Sequence, residues 1–435
     1  MSFWEDNGMN VLSSLSAILS IVCLLYASPS YAANETVLEA GVARTVITPE
    51  KPVKMAGYAS RKELSTGVHD PLSARVLAFQ AAGKRLVLVS TDLIGFYSGT
   101  ADYVRQAILS ELELDPSEVF LSAIHTHAGP ALAMDPERSH ANNVEYTETL
   151  KGKLVALIQQ ALDGMVPVRL GLDVGYSPVG TNRRELRIGR KGDASIVLGR
   201  NPYGTTDKEV LVMNVVGPED KLMAVAFDYA THGTCLGGKN LVISGDVLGL
   251  AEQFAERILG PDVIVPAFAG ASGNIDPLFR VLPAFNEEPG WIPEPVLLGT
   301  LLGEEVLHVS RRIREASVAC RIASQFVTLE LPGKPPEEGS NEAPNDVPLN
   351  VSVARVGEIA FVGLGAEVLT EIGMAIKAGS PCEHTFVITH CNGAASYLAP
   401  KKMHVEGGYE IRSSPFAPQA ADIVIRESLR MLHDL

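Results

Sequence analysis

The sequence predicts an α/β fold with α+β layering, in which mixed sheets carry flanking helices within a single large domain. Three observations lead there. Short apolar runs of strand length recur along the chain, and longer stretches with apolar residues at three- and four-residue spacing lie between them. The third is bulk composition: 435 residues, 46% hydrophobic and 20% charged, supply the material of a large globular core.

The strand-like runs are SARVLAFQ (73–80), RLVLVST (85–91), VFLSAIH (119–125), LMAVAFDYA (222–230), DVIVPAFAG (262–270) and TFVITH (385–390). Helical spacing marks residues 100–113, 143–164 and 246–260, with Asp246 placed as an N-terminal cap of the last and Gly260 as its stop. The stretch 331–348, rich in Pro, Gly and acid, reads as a surface loop or linker. A final helix, AADIVIRESLRMLHDL, closes the chain. No internal repeat and no membrane-length apolar run follows residue 33.

The first 33 residues differ from the rest. An apolar run from Val11 to Ala27 precedes small residues suited to cleavage near Ala32 or Ala33, the pattern of a secretory signal peptide. The leading segment carries Glu5 and Asp6 and no Lys or Arg, so an uncleaved N-terminal anchor is the alternative. Export to the periplasm or the exterior is therefore expected, with residues 34–435 as the working domain. The formal net charge of −15 argues against a nucleic-acid partner and against electrostatic attachment to anionic lipid. Five cysteines are too few for a disulfide-built scaffold. Cys382 and Cys391, with His384 and His390 beside them, match no common zinc-knot spacing.

Chemistry-bearing residues gather at the ends of the apolar runs. In FLSAIHTHAGPAL, His125 and His127 stand two apart, so that in an extended strand both rings would leave one face. Two neighbouring imidazoles can offer metal ligands, or a ligand and a general base, or simply hydrogen-bond each other. His232 follows the 222–230 run, and Asn274 and Asp276 leave the 262–270 run through a glycine-rich turn. Glu367 opens a helix after a glycine-marked turn, and Tyr397 stands just beyond the 385–390 run. Taken singly each has a structural explanation: a satisfied buried histidine, a helix-dipole partner, an ordinary packed aromatic. Strand ends in α/β sheets are also where rigid elements converge side chains on one point.

The motifs, taken in order, resemble the catalytic N-terminal domain of the neutral and alkaline non-lysosomal ceramidases. They are GVARTVITPE, MAGYAS, GVHDPLSARVLAF, IHTHAGPA, NRRE with DKEVLVMNV, HGTC with LVISGD, FAGASGNIDP, LGAE and YLAP…VEGGYE, spanning about Gly41 to Pro415. The resemblance implies one zinc ion per chain, held by His125, His232, Glu367 and Tyr397. It implies proton transfer by His127, and stabilisation of the substrate carbonyl by Arg183 and Tyr409. Two neutral imidazoles and a carboxylate suit a catalytic zinc that keeps one position for water.

Two departures qualify the implied activity. The family carries serine where this chain has Asp276, replacing a hydroxyl donor with a charged acceptor. That carboxylate could orient a histidine, act as general base, select substrate, or cap the turn before Pro277. The family's additional C-terminal β-sandwich, expected to support membrane approach, has no counterpart before Leu435. The expected activity is hydrolysis of an amide (N-acyl) bond in a small-molecule or lipid-like substrate other than ceramide. Ester, lactone or glycoside hydrolysis on the same site, and a non-catalytic lipid- or carbohydrate-binding relative, are the alternatives. The sequence leaves oligomeric state open.

Overall fold

The computed structural model describes residues 37–279, 294–314, 321–335 and 345–435. Thr36–Leu435 forms one compact unit. The signal-peptide or anchor reading falls outside the described residues.

Strand periodicity determines the layering. Along Ser73–Ala81, Val76 and Ala78 enter one apolar cluster while Leu77 and Phe79 enter another. Lys84–Thr91 repeats the pattern, with Val87 and Val89 on one side and Leu86 and Leu88 on the other. Both faces are apolar, so both must be covered. One face of this five-stranded sheet packs on the helices Thr100–Glu111 and Ala141–Asp163 through Val104, Ile108, Leu150 and Leu154. The opposite face meets two four-stranded sheets, represented by Leu211 and Met213 from one and Phe361 and Phe386 from the other. Their own outer faces pack on helices: Val210 and Val212 against Asp246–Leu259 and Glu294–Arg312, and Val353 and Val362 against Thr370–Gly379 and Ala420–His433. The mixed α/β layering expected from sequence is observed.

Each main sheet contains one parallel pair near the chemistry. Val119–Ala123 lies parallel to Lys84–Thr91, Ala267–Ala269 to Leu222–Tyr229, and His384–Thr389 to Ile359–Leu364. Parallel neighbours end on the same side, so six strands release their chains toward one region.

Several expectations are corrected. The 119–125 run ends as a strand at Ala123, and only Ala267–Ala269 of the 262–270 run is strand. Residues 331–332 and 346–348 are not linker but paired strand, because Leu331 inserts fully into the core. Asp246 does not cap its helix; Gly245 occupies that position, and the Asp246 carboxylate instead accepts from the Cys235, Leu236 and Val247 amides. Glu367 opens no helix: it lies in the strand Ala366–Val368, three positions before the helix that starts at Thr370.

A buried ionic cluster ties sheet to helix beneath the site. Arg75 is fully buried and contacts Glu252 at 2.6 Å, Glu256 at 2.8 Å and Asp92 at 3.3 Å. Burial pushes the Asp92 and Glu252 carboxyls upward against the pull of Arg75. Asp92 in turn accepts from the Ser73 amide at 2.7 Å, fixing the start of the segment that carries Ile94 and Tyr97. Removing the cation leaves three buried carboxyls without it, so Arg75→Met is expected to cost about 3–5 kcal/mol. Urea denaturation measures this, and an unchanged midpoint would show that the cluster does not hold the sheet to the helix.

Candidate active site

His125 and His127 meet the site by a route other than strand alternation. The strand has already ended, and His125 takes a left-handed backbone conformation at φ 62°. The chain is held there by its neighbour loop: His127 N donates to the Gly233 carbonyl at 2.8 Å, and Gly233 N to the His125 carbonyl at 3.2 Å. A Cβ on Gly233 would lie 2.7 Å from the Thr126 Cα, which explains the glycine beside His232.

The ring nitrogens are assigned by their partners. His125 Nδ1 donates to the Ile94 carbonyl at 2.7 Å, and His232 Nδ1 to the Ser272 and Ile275 carbonyls at 2.8 and 3.0 Å. A carbonyl only accepts, so both Nδ1 atoms carry hydrogen and both Nε2 lone pairs turn inward. Each Nε2 lies 3.6 Å from Oε2 of Glu367. That oxygen is buried and has no hydrogen-bond partner among the described residues. The other oxygen, Oε1, accepts from the Tyr97 hydroxyl at 3.1 Å.

A buried carboxylate oxygen without a donor is costly unless something cationic satisfies it. Four donors about 2.1 Å from one centre sit about 3.4 Å apart, close to this spacing. The residues present therefore fit a divalent metal. Electrostatics agree: burial pushes His232 down to about 4 and His127 well below the usual imidazole range, so the rings are neutral near pH 7.

The remaining residues named from sequence also arrive. Tyr397 is the direct parallel-strand partner of Glu367. Burial and Glu367 push its hydroxyl well above the ordinary phenol range, so it stays protonated. Arg183 donates to the Tyr397 oxygen at 3.1 Å and to Glu410 at 2.9 Å. Asp276 lies in a short strand, not a capping turn, and ion-pairs with Arg183 at 3.1 Å. Tyr409 packs edge-on to Tyr397 with ring centroids 5.6 Å apart. A cavity of about 340 Å³ reaches Glu367, His127 and Tyr397 between walls that include Tyr97, Leu132 and Tyr409.

Three contributors were not singled out from sequence. Tyr97 leaves the 84–91 strand just as the histidines leave theirs, so the strand-end criterion would have found it. His390 is not part of a zinc knot with the cysteines. Its ring stacks on His125 with centroids 3.9 Å apart, while Cys391 is buried in the core. Gly57, from MAGYAS, has φ 93°, and a Cβ there would lie 2.5 Å from His127 Nδ1.

The neutral/alkaline non-lysosomal ceramidase N-terminal family model matches residues 39–277, more than half of the chain. The chain belongs to this family. It is 26% identical over 291 residues to the neutral ceramidase of Pseudomonas aeruginosa, covering 62% of this chain and 42% of the relative. With neutral ceramidase 1 of Arabidopsis thaliana it shares 25% over 262 residues, 55% of this chain and 31% of the relative. The matched stretch thus spans less than half the length of these curated relatives. A crystal structure of the Pseudomonas aeruginosa neutral ceramidase shares the fold, with a TM-score of 0.73 at 19% identity over 91% of this chain and 74% of that one. The family match includes His125, His127, Arg183, His232 and Asp276, whereas Glu367, Tyr397 and Tyr409 follow it in the chain. The family is one of hydrolases.

The Gly57 contact yields a direct check. Gly57→Ala combines an unfavourable positive φ with a collision at His127, and is expected to cost about 1–3 kcal/mol in stability. It should also displace the His127 ring, visible as a shifted imidazole resonance. Unchanged stability and resonances would show that the backbone does not set the position of His127.

Proposed function

We propose that this chain is an exported, zinc-dependent hydrolase that cleaves an amide (N-acyl) bond in a small-molecule or lipid-like substrate other than ceramide. The observation that carries the reading is Glu367 Oε2, buried without a hydrogen-bond partner among the described residues, with the Nε2 atoms of His125 and His232 each 3.6 Å away. His125, His232 and Glu367 would hold the metal, with the Tyr397 oxygen beside them, in a working domain of residues 34–435. Zinc bound there would supply an acidified water and a polarised carbonyl.

The chain's own residues account for the rest. His127 faces the cavity with its Nε2 3.2 Å from that of His125, and its Nδ1 has no partner among the described residues. Kept neutral by burial, it can accept a proton and return it to the leaving amine. Tyr409 lines the cavity beside Tyr397, within reach of a substrate oxygen. Arg183 keeps a positive charge on the Tyr397 side, and Asp276 and Glu410 aim its guanidinium. In this reading Asp276 acts through Arg183 as a positioning group. The serine-to-aspartate departure then changes the surroundings of the carbonyl-binding side, and that difference supports a substrate other than ceramide. The cavity of about 340 Å³ accommodates the scissile group and its immediate neighbours.

Plasma mass spectrometry on purified protein should find about one zinc per chain, lost in His125→Ala together with activity. His127→Ala should keep the metal while kcat falls about 10²- to 10⁴-fold. A panel of N-acyl amides, esters and glycosides reads the bond class. Hydrolysis surviving in His125→Ala would overturn the site, and turnover of esters or glycosides without amides would overturn the amide reading.

A further inference from the structure

The strands Gly180–Ile188 and Ala194–Asn201 form a hairpin that starts at the site and ends in solvent. At its base, Arg183 and Arg184 are buried and ion-paired with Glu410. Beyond Glu185 the hairpin is largely uncovered. Residues opposite each other on antiparallel strands share a face, so Leu186 stands with Ile196, and Leu198 with Arg184. With Ile188 they make a continuous apolar face. Leu186 is 60% exposed, Ile188 72% and Leu198 44%, an unusual concentration on one two-stranded ribbon.

The face runs into the active-site rim. A Cβ on Gly408 would lie 3.0 Å from Ile196, and the next residue, Tyr409, lines the cavity. Val405, one turn earlier in the chain, is 92% exposed. The hairpin's edges and tip carry the opposite chemistry. Arg187, Arg190, Lys191 and Arg200 are exposed, against Glu185 and Asp193. In a chain of net charge −15 this element is locally cationic.

We infer that the 183–201 hairpin docks on an anionic lipid surface, inserting Leu186, Ile188 and Leu198 while its arginines and lysine meet the headgroups. Apolar side chains flanked by cations are the chemistry of interfacial membrane binding. A protein partner would need no such cationic frame. The net charge does not prevent it, because exposed charges farther than about 8 Å are largely screened at physiological ionic strength. The expectation drawn from net charge is thereby reversed for this one element. Docking would present the cavity mouth, through Tyr409, toward the bilayer, and it does not depend on the bond class or metal of the proposed reaction.

The test uses the full chain and reads the hairpin itself, since the N-terminal segment could bring protein to vesicles independently. Amide hydrogen exchange is followed in peptides from 183–201 with vesicles of phosphatidylcholine and phosphatidylserine in equal parts, and with phosphatidylcholine alone. Protection of the hairpin is expected on the mixed vesicles only. It should disappear in Ile188→Asp, and apparent affinity should fall about 25-fold in Arg190→Gln/Lys191→Gln, about fivefold per cation removed. Leu301→Asp, at an exposed apolar position on Glu294–Arg312, should bind as the parent does. Hairpin exchange unchanged by mixed vesicles, equal protection on phosphatidylcholine alone, or undiminished protection in Ile188→Asp would each overturn the inference.

Discussion

Parallel pairing at three sheet ends is the constraint on which the rest of the structure depends. Each pair releases two chains on the same side, and the loops that follow bind one another through backbone amides. His127 N to the Gly233 carbonyl and Gly273 N to the Val368 carbonyl, both at 2.8 Å, lock the three sheets' loops together. Side chains distant in sequence are thereby fixed on backbone that is itself hydrogen-bonded, the kind of support a precise site requires. The glycines in HGTC and GASGN are where these loops approach too closely for a Cβ.

Electrostatics follow from this arrangement. Burial strips water from the His127 and His232 imidazoles and from the Tyr97 and Tyr397 phenols, pushing the imidazoles down and the phenols up. Backbone carbonyls fix the tautomers of His125 and His232, so both Nε2 atoms face the site, 3.6 Å from the Glu367 Oε2 that has no hydrogen-bond partner among the described residues. Tyr97 occupies the other oxygen and so decides which one remains. The unsatisfied atom is the point at which the fold stores capacity for a cation.

Within this family member, Asp276 belongs to a connected chain of polar residues. Asp276 links to Arg183, which touches Tyr397 and, through Glu410, the segment that carries Tyr409. A change at residue 276 therefore acts on the Arg183, Tyr397 and Tyr409 side while His125, His232 and Glu367 stay as they are. The hairpin that leaves Arg183 extends the same element from the site to solvent. A single ribbon thus runs from the buried Arg183 to the exposed Ile188.

The layered α/β architecture was legible in the sequence because alternation and helical spacing are local signals, and both faces of the central strands are apolar. His125, His127 and His232 were legible as strand-end residues, and the ordered motifs supplied Glu367, Tyr397, Arg183 and Tyr409. Local signals failed where a contact distant in sequence decides the backbone. Glu367 sits in a short strand because it pairs with Tyr397, and residues 331–332 pair with 346–348 despite their loop-like composition. His390 and Gly57 owe their roles to rings brought in by other loops, which no spacing encodes. The sequence by itself determined which side chains were available and along which stretches the main strands would run. Only the tertiary structure decided which nitrogen of each histidine faces inward, and which carboxylate oxygen is left without a partner, because those depend on carbonyls and hydroxyls from segments far away in the chain.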